Sequence, residues 1–476
     1  MASFECVRCG SASESDSLDP SCPRCGSALF LSTGAPAALS RGSLEGRPAG
    51  VWRYRELLPS LATGTPVSLG EGGTPLLRAA NLGAELGLGN LLLKDETRNP
   101  TGSFIDRGST VLASLAKERG VESCSCVTTG NLGASLSAYC AKAGIGAEVR
   151  IRPSTDRGKL YQMIAYGARI VPASRATRAE GRGGRTISVT AGNPYILEGE
   201  KTTCFEIAQD LGWRMPDVVL VPVGTGGHLS MFWRAMEQMK ASGLIGEKGC
   251  RLLGVQLSGP PLDAADRALR GRGRPAEEPF TELEESEPML WEAAAGAVKE
   301  SGGSWVRATA AETIEATGLL ARTEGIFAEP AAASVVASLR AAKAGRHIDA
   351  GETAVCVITG AGLKDTKAIS RIARDTRHAP VADDYPAGRL QLGATKLRLL
   401  RCLSPGPSFG YELWKELSAK RAITTASVYQ HLAELEGMGL VRKSGVSTSR
   451  GRERVLYELT RRGSDLLRMA GRIERG

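Results

Sequence analysis

The sequence predicts an α/β protein in three parts: a small metal-binding ribbon, a large body of parallel sheets covered by helices, and a compact basic domain. Three observations carry this reading. Two C-x-x-C pairs stand near the start, short apolar runs alternate with helical stretches through the middle, and the excess charge is confined to the last segment. At 476 residues the chain exceeds what one core usually holds, so several folding units are expected. Hydrophobic residues make up 42% and charged residues 23%, the balance of a globular protein. No apolar run nears the ~20 residues needed to cross a bilayer, so no membrane partner is expected. The opening MASFECVRCG lacks a basic start followed by an apolar stretch, and the chain is therefore expected in the cytoplasm.

The ribbon is expected at 1–30. Cys6, Cys9, Cys22 and Cys25 form two C-x-x-C pairs, each followed by glycine in CVRCG and CPRCG. Each pair makes a tight turn whose thiolates face one cation, and two such turns complete a tetrahedral site. Four thiolates suit zinc and leave no open coordination position, so the role is structural. The competing reading is two disulfides or free thiols, and disulfides belong to an oxidising compartment. Residues 31–50, rich in Gly, Ala, Pro and Ser, read as a linker.

The body is expected at 51–372. Strands are expected at 90–94, 125–128, 147–152, 218–223, 251–256 and 354–359, and helices at 133–143, 158–166 and 200–211. Such alternation argues for parallel strands buried on both faces. The Gly/Arg-rich stretch 175–185 (RATRAEGRGGR) reads as a surface loop. Residues 224–228 (GTGGH) follow an apolar strand and should open a helix. Small residues there let backbone N–H groups converge on a phosphate at the helix's positive end.

A second linker at 373–388, with Asp383 and Asp384, leads to a domain at 389–476. From Arg389 onward there are seventeen Lys and Arg against eight Asp and Glu, which accounts for the whole net charge of +9. That distribution fits a nucleic-acid-binding appendage on a neutral body. Helices are expected at 392–403, at 408–420 with Ser408 as cap, and at 424–441 with Val428, Leu432, Leu435 and Met438 on one face. A two-stranded wing should follow, from 441–445 and 455–460 around a loop at 447–453.

Nine segments of the body resemble threonine synthase and its relatives of the second pyridoxal-phosphate (PLP) fold type, the tryptophan synthase β-like fold. In order they are WRYRELLP (52–59), LGEGGTPLL (69–77), KDETRNPTGSFIDRG (94–108), TTGNLGAS (128–135), GKLYQMIAYGA (158–168), NPYILEGEKT (193–202), VPVGTGGH (221–228), EGIFAEP (324–330) and TGAGLKD (359–365). They cover roughly two thirds of the chain and imply a two-domain body that holds PLP. By this resemblance Gly224, Thr225, Gly226, Gly227 and His228 form the phosphate cup, Asn131 meets the ring hydroxyl and Thr359 faces the pyridine nitrogen. Thr128, Thr129 and Gly130, with Ser103, fall on the substrate side.

One departure decides the chemistry. The family reads S-F-K-D-R, and that lysine forms the Schiff base with PLP. Here Ser103, Phe104, Ile105, Asp106 and Arg107 keep all but the amine. An isoleucine can neither condense with an aldehyde nor carry a proton, so PLP is expected only as a non-covalent ligand. Softer departures agree: the connection 171–193 looks short, Ala332 stands where relatives often carry Ser, and 280–296 lacks a Thr-rich pattern.

The C-terminal domain resembles the PadR-like and MarR-like winged-helix regulators, through G-Y-E-L, S-V-Y-x-x-L and a final Y-x-L-T-x-x-G. The resemblance implies double-stranded DNA as partner. Thr424, Thr425, Ser427, Tyr429 and Gln430 would lie toward the major groove, and Arg450, Arg452 and Arg454 would lie on the wing. Domains of this size also serve as protein-docking modules. Both resemblances imply a homodimer. The function expected is a ligand-sensing transcriptional regulator whose body has lost lyase activity and takes PLP, an amino acid or a phosphohomoserine-like compound. The alternative is a working threonine synthase, converting O-phosphohomoserine to threonine, with a regulatory DNA-binding tail.

Overall fold

The computed structural model describes residues 1–32, 39–128, 130–152, 155–173, 185–257, 289–366, 394–419, 423–449 and 452–473. Thr129, Arg450, the loop expected at 175–185 apart from Arg185, and the linker expected at 373–388 lie outside these residues. The chain divides into two compact units, Met1–Arg377 and His378–Gly476. No helix among the described residues is long and apolar enough to cross a membrane.

Two parallel sheets organise the first unit. The larger runs Ser304–Ala308, Arg251–Leu257, Val218–Pro222, Thr353–Ile358, Asn90–Asp95, Leu76–Arg78, and only the last pairing is antiparallel. Its central strand, VVLVP, is buried at every position, as an unbroken apolar run requires when helices cover both faces. The smaller sheet runs Arg169–Pro172, Gly146–Ile151, Ser123–Thr128, Thr186–Val189, parallel throughout. The longer strands were expected from the sequence to within one or two residues. Short strands such as Leu76–Arg78 and Arg169–Pro172 were not, because three or four residues carry too little pattern.

Five helices of this unit position the site: α1 (Asp106–Glu118), α2 (Asn131–Ala143), α3 (Arg157–Ala165), α4 (Pro194–Glu200) and α5 (Gly227–Ala241). The helix expected at 200–211 is Thr202–Asp210, and α4, which was not expected, precedes it. α4 starts where Asn193 caps it, its Oδ1 accepting from Tyr195 N at 3.0 Å. It gives way at Lys201, whose carbonyl accepts from Cys204 N in an i+3 bond, to Thr202–Asp210.

The stretch 31–50, expected as a linker, is docked over its described part. Ser40 caps the helix Arg41–Leu44, and Leu39 and Leu44 are buried in the core beside the larger sheet. The ribbon, Ala2–Cys6 with Ala12–Ser15 and Leu29–Leu31, is equally part of this unit. Its Phe4, Cys6, Leu18, Cys22 and Leu29 share one apolar cluster with α1 and α2. The Asn193 amide donates to Leu18 O at 2.7 Å, and Phe4 meets Tyr195 edge-on.

The second unit has its own core of Leu399, Leu400, Leu413, Val428, Leu432, Leu435 and Tyr457. Ala394–Cys402, Gly410–Ser418 and α6 (Thr425–Gly437) are its first three helices. Ser408 does not cap the second of these. Its backbone pairs with Tyr457 in a third strand, Ser408–Phe409, so the sheet has three strands instead of a two-stranded wing. Met438, expected on the apolar face of α6, is 42% exposed because the helix has ended at Gly437. A last helix, Arg461–Ile473, was not expected.

Candidate functional site

Strand Thr353–Ile358 ends beside the loop that carries the S-F-I-D-R segment. Phe104 N donates to Thr359 O at 3.0 Å, Ala361 N donates to Gly102 O at 2.9 Å, and Ser103 bridges Gly360. The loop then turns into α1 at Ile105. Asp106 fixes it, accepting from Thr101 N and Oγ1 at 2.7 Å each and from Ser135 Oγ at 2.6 Å. Ile105 itself is buried, 7% exposed, in the apolar cluster that includes Val111, Leu112 and Leu132. The loop is thus held by Asp106 and by backbone bonds, none of which needs an amine at position 105.

Glu329 occupies the centre of this region. Its Oε1 accepts from Asn131 Nδ2 at 2.9 Å, and its Oε2 lies 3.4 Å from Lys159 Nζ on α3. A Cβ on Gly360 would come within 2.2 Å of Glu329 Oε1, so only glycine admits the carboxylate there. Asn131 opens α2, whose cap residue Gly130 donates its N–H to Thr128 Oγ1 at 3.0 Å.

The cup follows strand Val218–Pro222. Gly226 has φ +89°, and a Cβ on it would meet Leu290 O at 2.8 Å, so the turn into α5 requires glycine twice over. Gly226, the cap residue of α5, has no side chain to cap it, and the first-turn N–H groups beyond Gly227 are left as an anion seat. Thr225 Oγ1 accepts from Gly227 N at 3.3 Å. His228 is buried and stacks on Phe104, with ring centroids 4.2 Å apart and planes at 15°. Its Nε2 meets Thr203 Oγ1 at 3.3 Å, while its buried Nδ1 has no partner among the described residues. Burial lowers its pKa to about 3, with the Arg107 charge assisting against Glu96, so the imidazole is neutral. A helix start with a glycine cap residue and an orphaned buried nitrogen beside it are what a phosphate would satisfy, and in that respect these residues fit PLP.

The structure therefore gathers Ser103, Ile105, Thr359, Asn131 and His228 through Phe104, Gly360 and Glu329. Sequence reasoning missed Glu329, Gln162 and Lys364, although EGIFAEP, GKLYQMIAYGA and TGAGLKD contain them, and set Lys159 aside as a replacement amine without seeing its pairing with Glu329. It also missed the buried network beneath α1, in which Arg107 donates to Glu96 and Glu206 at 2.6–2.8 Å. Lys94 completes that network, 2.9 Å from Glu206.

In the ribbon, ligand atoms of Cys6, Cys9, Cys22 and Cys25 all lie within 4.8 Å of one another. Cys6 and Cys25 sulfurs are 3.5 Å apart, and Cys9 is 3.7 Å from both Cys22 and Cys25. Four sulfurs at ~2.3 Å from a tetrahedral zinc would be about 3.8 Å apart. The donor set fits the metal.

In the second unit, Thr424 caps α6, its Oγ1 accepting from Ser427 N at 3.2 Å. Thr425 and Ser427 occupy its first turn, and Gln430 Nε2 donates to Glu434 Oε1 at 3.2 Å. Tyr429 is 42% exposed and its ring lies against Gly410. Arg452 and Arg454 are on the strand Arg452–Leu459, opposite Ser449 and Ser447.

Two parallel sheets, a glycine turn opening α5 and an asparagine opening α2 are the frame of a body of the second PLP fold type. The family described as pyridoxal-phosphate dependent enzyme matches residues 67–360, and the transcriptional regulator PadR-like family matches residues 399–469. Maize serine racemase has a similar fold, with a TM-score of 0.51 at 19% identity over 63% of this chain and 90% of that one. Within this class the chain belongs to the threonine synthase family. It is 38% identical to the threonine synthase of Methanocaldococcus jannaschii over 385 residues, 78% of this chain and 95% of that protein. It is 39% identical to that of Mycobacterium leprae over 330 residues, 67% of this chain and 89% of that protein.

Proposed function

We propose that this protein is a cytoplasmic, ligand-sensing transcriptional regulator whose threonine-synthase-like body no longer turns over substrate. One observation carries the reading: Ile105 is a buried hydrocarbon at the position where the family needs a primary amine. PLP supplies this family with an electron sink for carbanion chemistry, and the protein must tether it and move protons beside it. In this chain the cup at Gly224–His228 would seat the phosphate, Asn131 the ring hydroxyl and Thr359 the ring nitrogen. Thr128, Thr129, Gly130 and Ser103 would receive a carboxylate. His228 is neutral and offers a hydrogen bond without charge. No amine stands at position 105 to hold the coenzyme or to carry a proton, and loss of a general base alone costs about 10²–10⁴-fold in rate.

The three-part division follows: a zinc ribbon at 1–30, a sensing body at 51–372, and a DNA-binding tail at 389–476 that acts as a homodimer on duplex DNA. Thr424, Thr425, Ser427, Tyr429 and Gln430 would meet base edges, and Arg450, Arg452 and Arg454 the backbone. Zinc would hold the ribbon without taking part in chemistry.

The decisive measurement treats purified full-length protein with PLP and then borohydride, with peptide mass mapping and an assay of O-phosphohomoserine conversion alongside. The expected result is PLP binding with no lysine adduct and no threonine. Steady threonine formation with one modified lysine would replace this reading with the second one, an active synthase with a regulatory tail, which the 38% identity over 95% of a relative's length favours. For the tail, duplex binding should weaken linearly with log salt, and no binding at low salt would remove the regulator role.

A further inference from the structure

Helix α3 touches both the bed, the site around Asn131, Glu329, Thr359 and the cup, and the start of the chain leading to the C-terminal unit. From its middle, Lys159 reaches Glu329, with side chains 4% and 3% exposed. At its start, Asp156 accepts from Gly158 N at 2.7 Å and from Thr366 Oγ1 at 2.9 Å. Toward its end, Gln162 Oε1 accepts from Lys364 Nζ at 3.1 Å, and Lys364 also donates to Thr101 O at 2.7 Å. A Cβ on Gly158 would lie 2.9 Å from Leu363 O, so helix and segment also touch through backbone. That segment begins in the bed at Thr359 and Gly360, and the second compact unit starts by His378.

We propose that α3 is the element that reports occupancy of the bed to the C-terminal unit, with Thr366 as its latch. This rests on the reading of the body as a ligand sensor. A ligand oxygen that accepts from the Asn131 amide competes for it with Glu329 Oε1. The ion pair of Glu329 with Lys159, side chains 3% and 4% exposed, must then adjust inside the protein rather than through water. Lys159 is carried on a nine-residue helix, which moves as a body. Any such movement is felt at Thr366 and Lys364, the residues that tie the outgoing segment to the helix. Thr366 is a positioning residue: it touches no ligand and acts through Asp156.

The test uses full-length zinc-loaded protein, with PLP as the probe, and measures hydrogen–deuterium exchange with and without it. PLP binding should alter exchange in α3 and in peptides C-terminal to Thr366. Thr366→Val removes one hydroxyl; it should bind PLP with unchanged affinity but lose the exchange difference beyond residue 366. Thr366→Ser restores the hydroxyl and should restore the difference. Wild type that binds PLP with no change beyond residue 366, or a Thr366→Val protein that transmits like wild type, overturns the proposal alone. Wild type that binds no PLP overturns both the proposal and the sensor reading beneath it.

Discussion

At the scale of single residues, Ile105 and His228 set what the bed can do. Ile105 fits its slot as part of an apolar cluster, and α1 is fixed by Asp106 and Arg107, so the segment keeps its shape without its amine. Ile105→Lys should therefore restore a reactive centre in a prepared frame. The variant, treated with PLP and borohydride, should carry the adduct on residue 105, and wild type should carry none there. His228 makes a pH prediction. Its folded pKa, about 3, lies below its ordinary 6.5, so it contributes stability above pH 6.5 that is lost as pH falls toward 3. Glu200 acts oppositely. Burial holds its carboxyl well above the usual range, so its contribution is present at low pH and is lost as pH rises through that raised pKa. The clean quantity is a difference between proteins. Between about pH 4 and 5.5, His228→Asn should reduce the slope of unfolding free energy against pH by about 1.4 kcal/mol per unit. Chemical denaturation at several pH values measures it, and parallel slopes would contradict a buried neutral histidine.

At the scale of elements, the cup is a property of where α5 starts. Gly226 makes that start possible by a positive φ and by proximity to Leu290 O, and only the Thr225 hydroxyl takes one of the first N–H groups, that of Gly227. Gly226→Val should strain the turn by about 1–3 kcal/mol and abolish PLP binding, read by equilibrium dialysis, while the far side of the unit stays folded. In the second unit, Thr424 is the cap of α6, and Thr424→Ala should lower that unit's stability by about 1 kcal/mol. Thermal melting monitored at Trp414 checks it. In the proposed DNA contact the same hydroxyl would serve a base edge, so DNA affinity should fall with it.

At the scale of the whole molecule, the ribbon is built into the body. Cys6 and Cys22 share a cluster with Val111 and Leu112, and Asn193 links the ribbon to α4. Without a cation the thiols oppose one another. A Ser11 hydrogen bond helps lower Cys22 to about 6. The Ser27 backbone bond works to lower Cys25, yet the Cys6 thiol and burial push it up to about 12. A zinc ion bound by all four as thiolates would remove that conflict. Stripping the metal with a strong chelator should therefore lower the unfolding midpoint of the body, followed by circular dichroism, and not merely release a ribbon. A body that melts unchanged after metal removal would make the ribbon an independent module.

The local order of this protein was legible in its sequence because the carriers are local. The C-x-x-C pairs, the VVLVP run, the GTGGH turn and the S-F-I-D-R segment each act within a few residues, and the charge of the tail needs only counting. Tertiary structure decided what depends on residues distant in the chain. It brought Glu329 between Asn131 and Lys159, set a His228 nitrogen without a partner among the described residues at the start of α5, and packed Leu39 and Leu44 of the expected linker into the core. It also tied Thr366 to α3. Pairing of buried charges and packing of short strands are fixed by which surfaces meet, and periodicity in one stretch of chain holds no record of its partner.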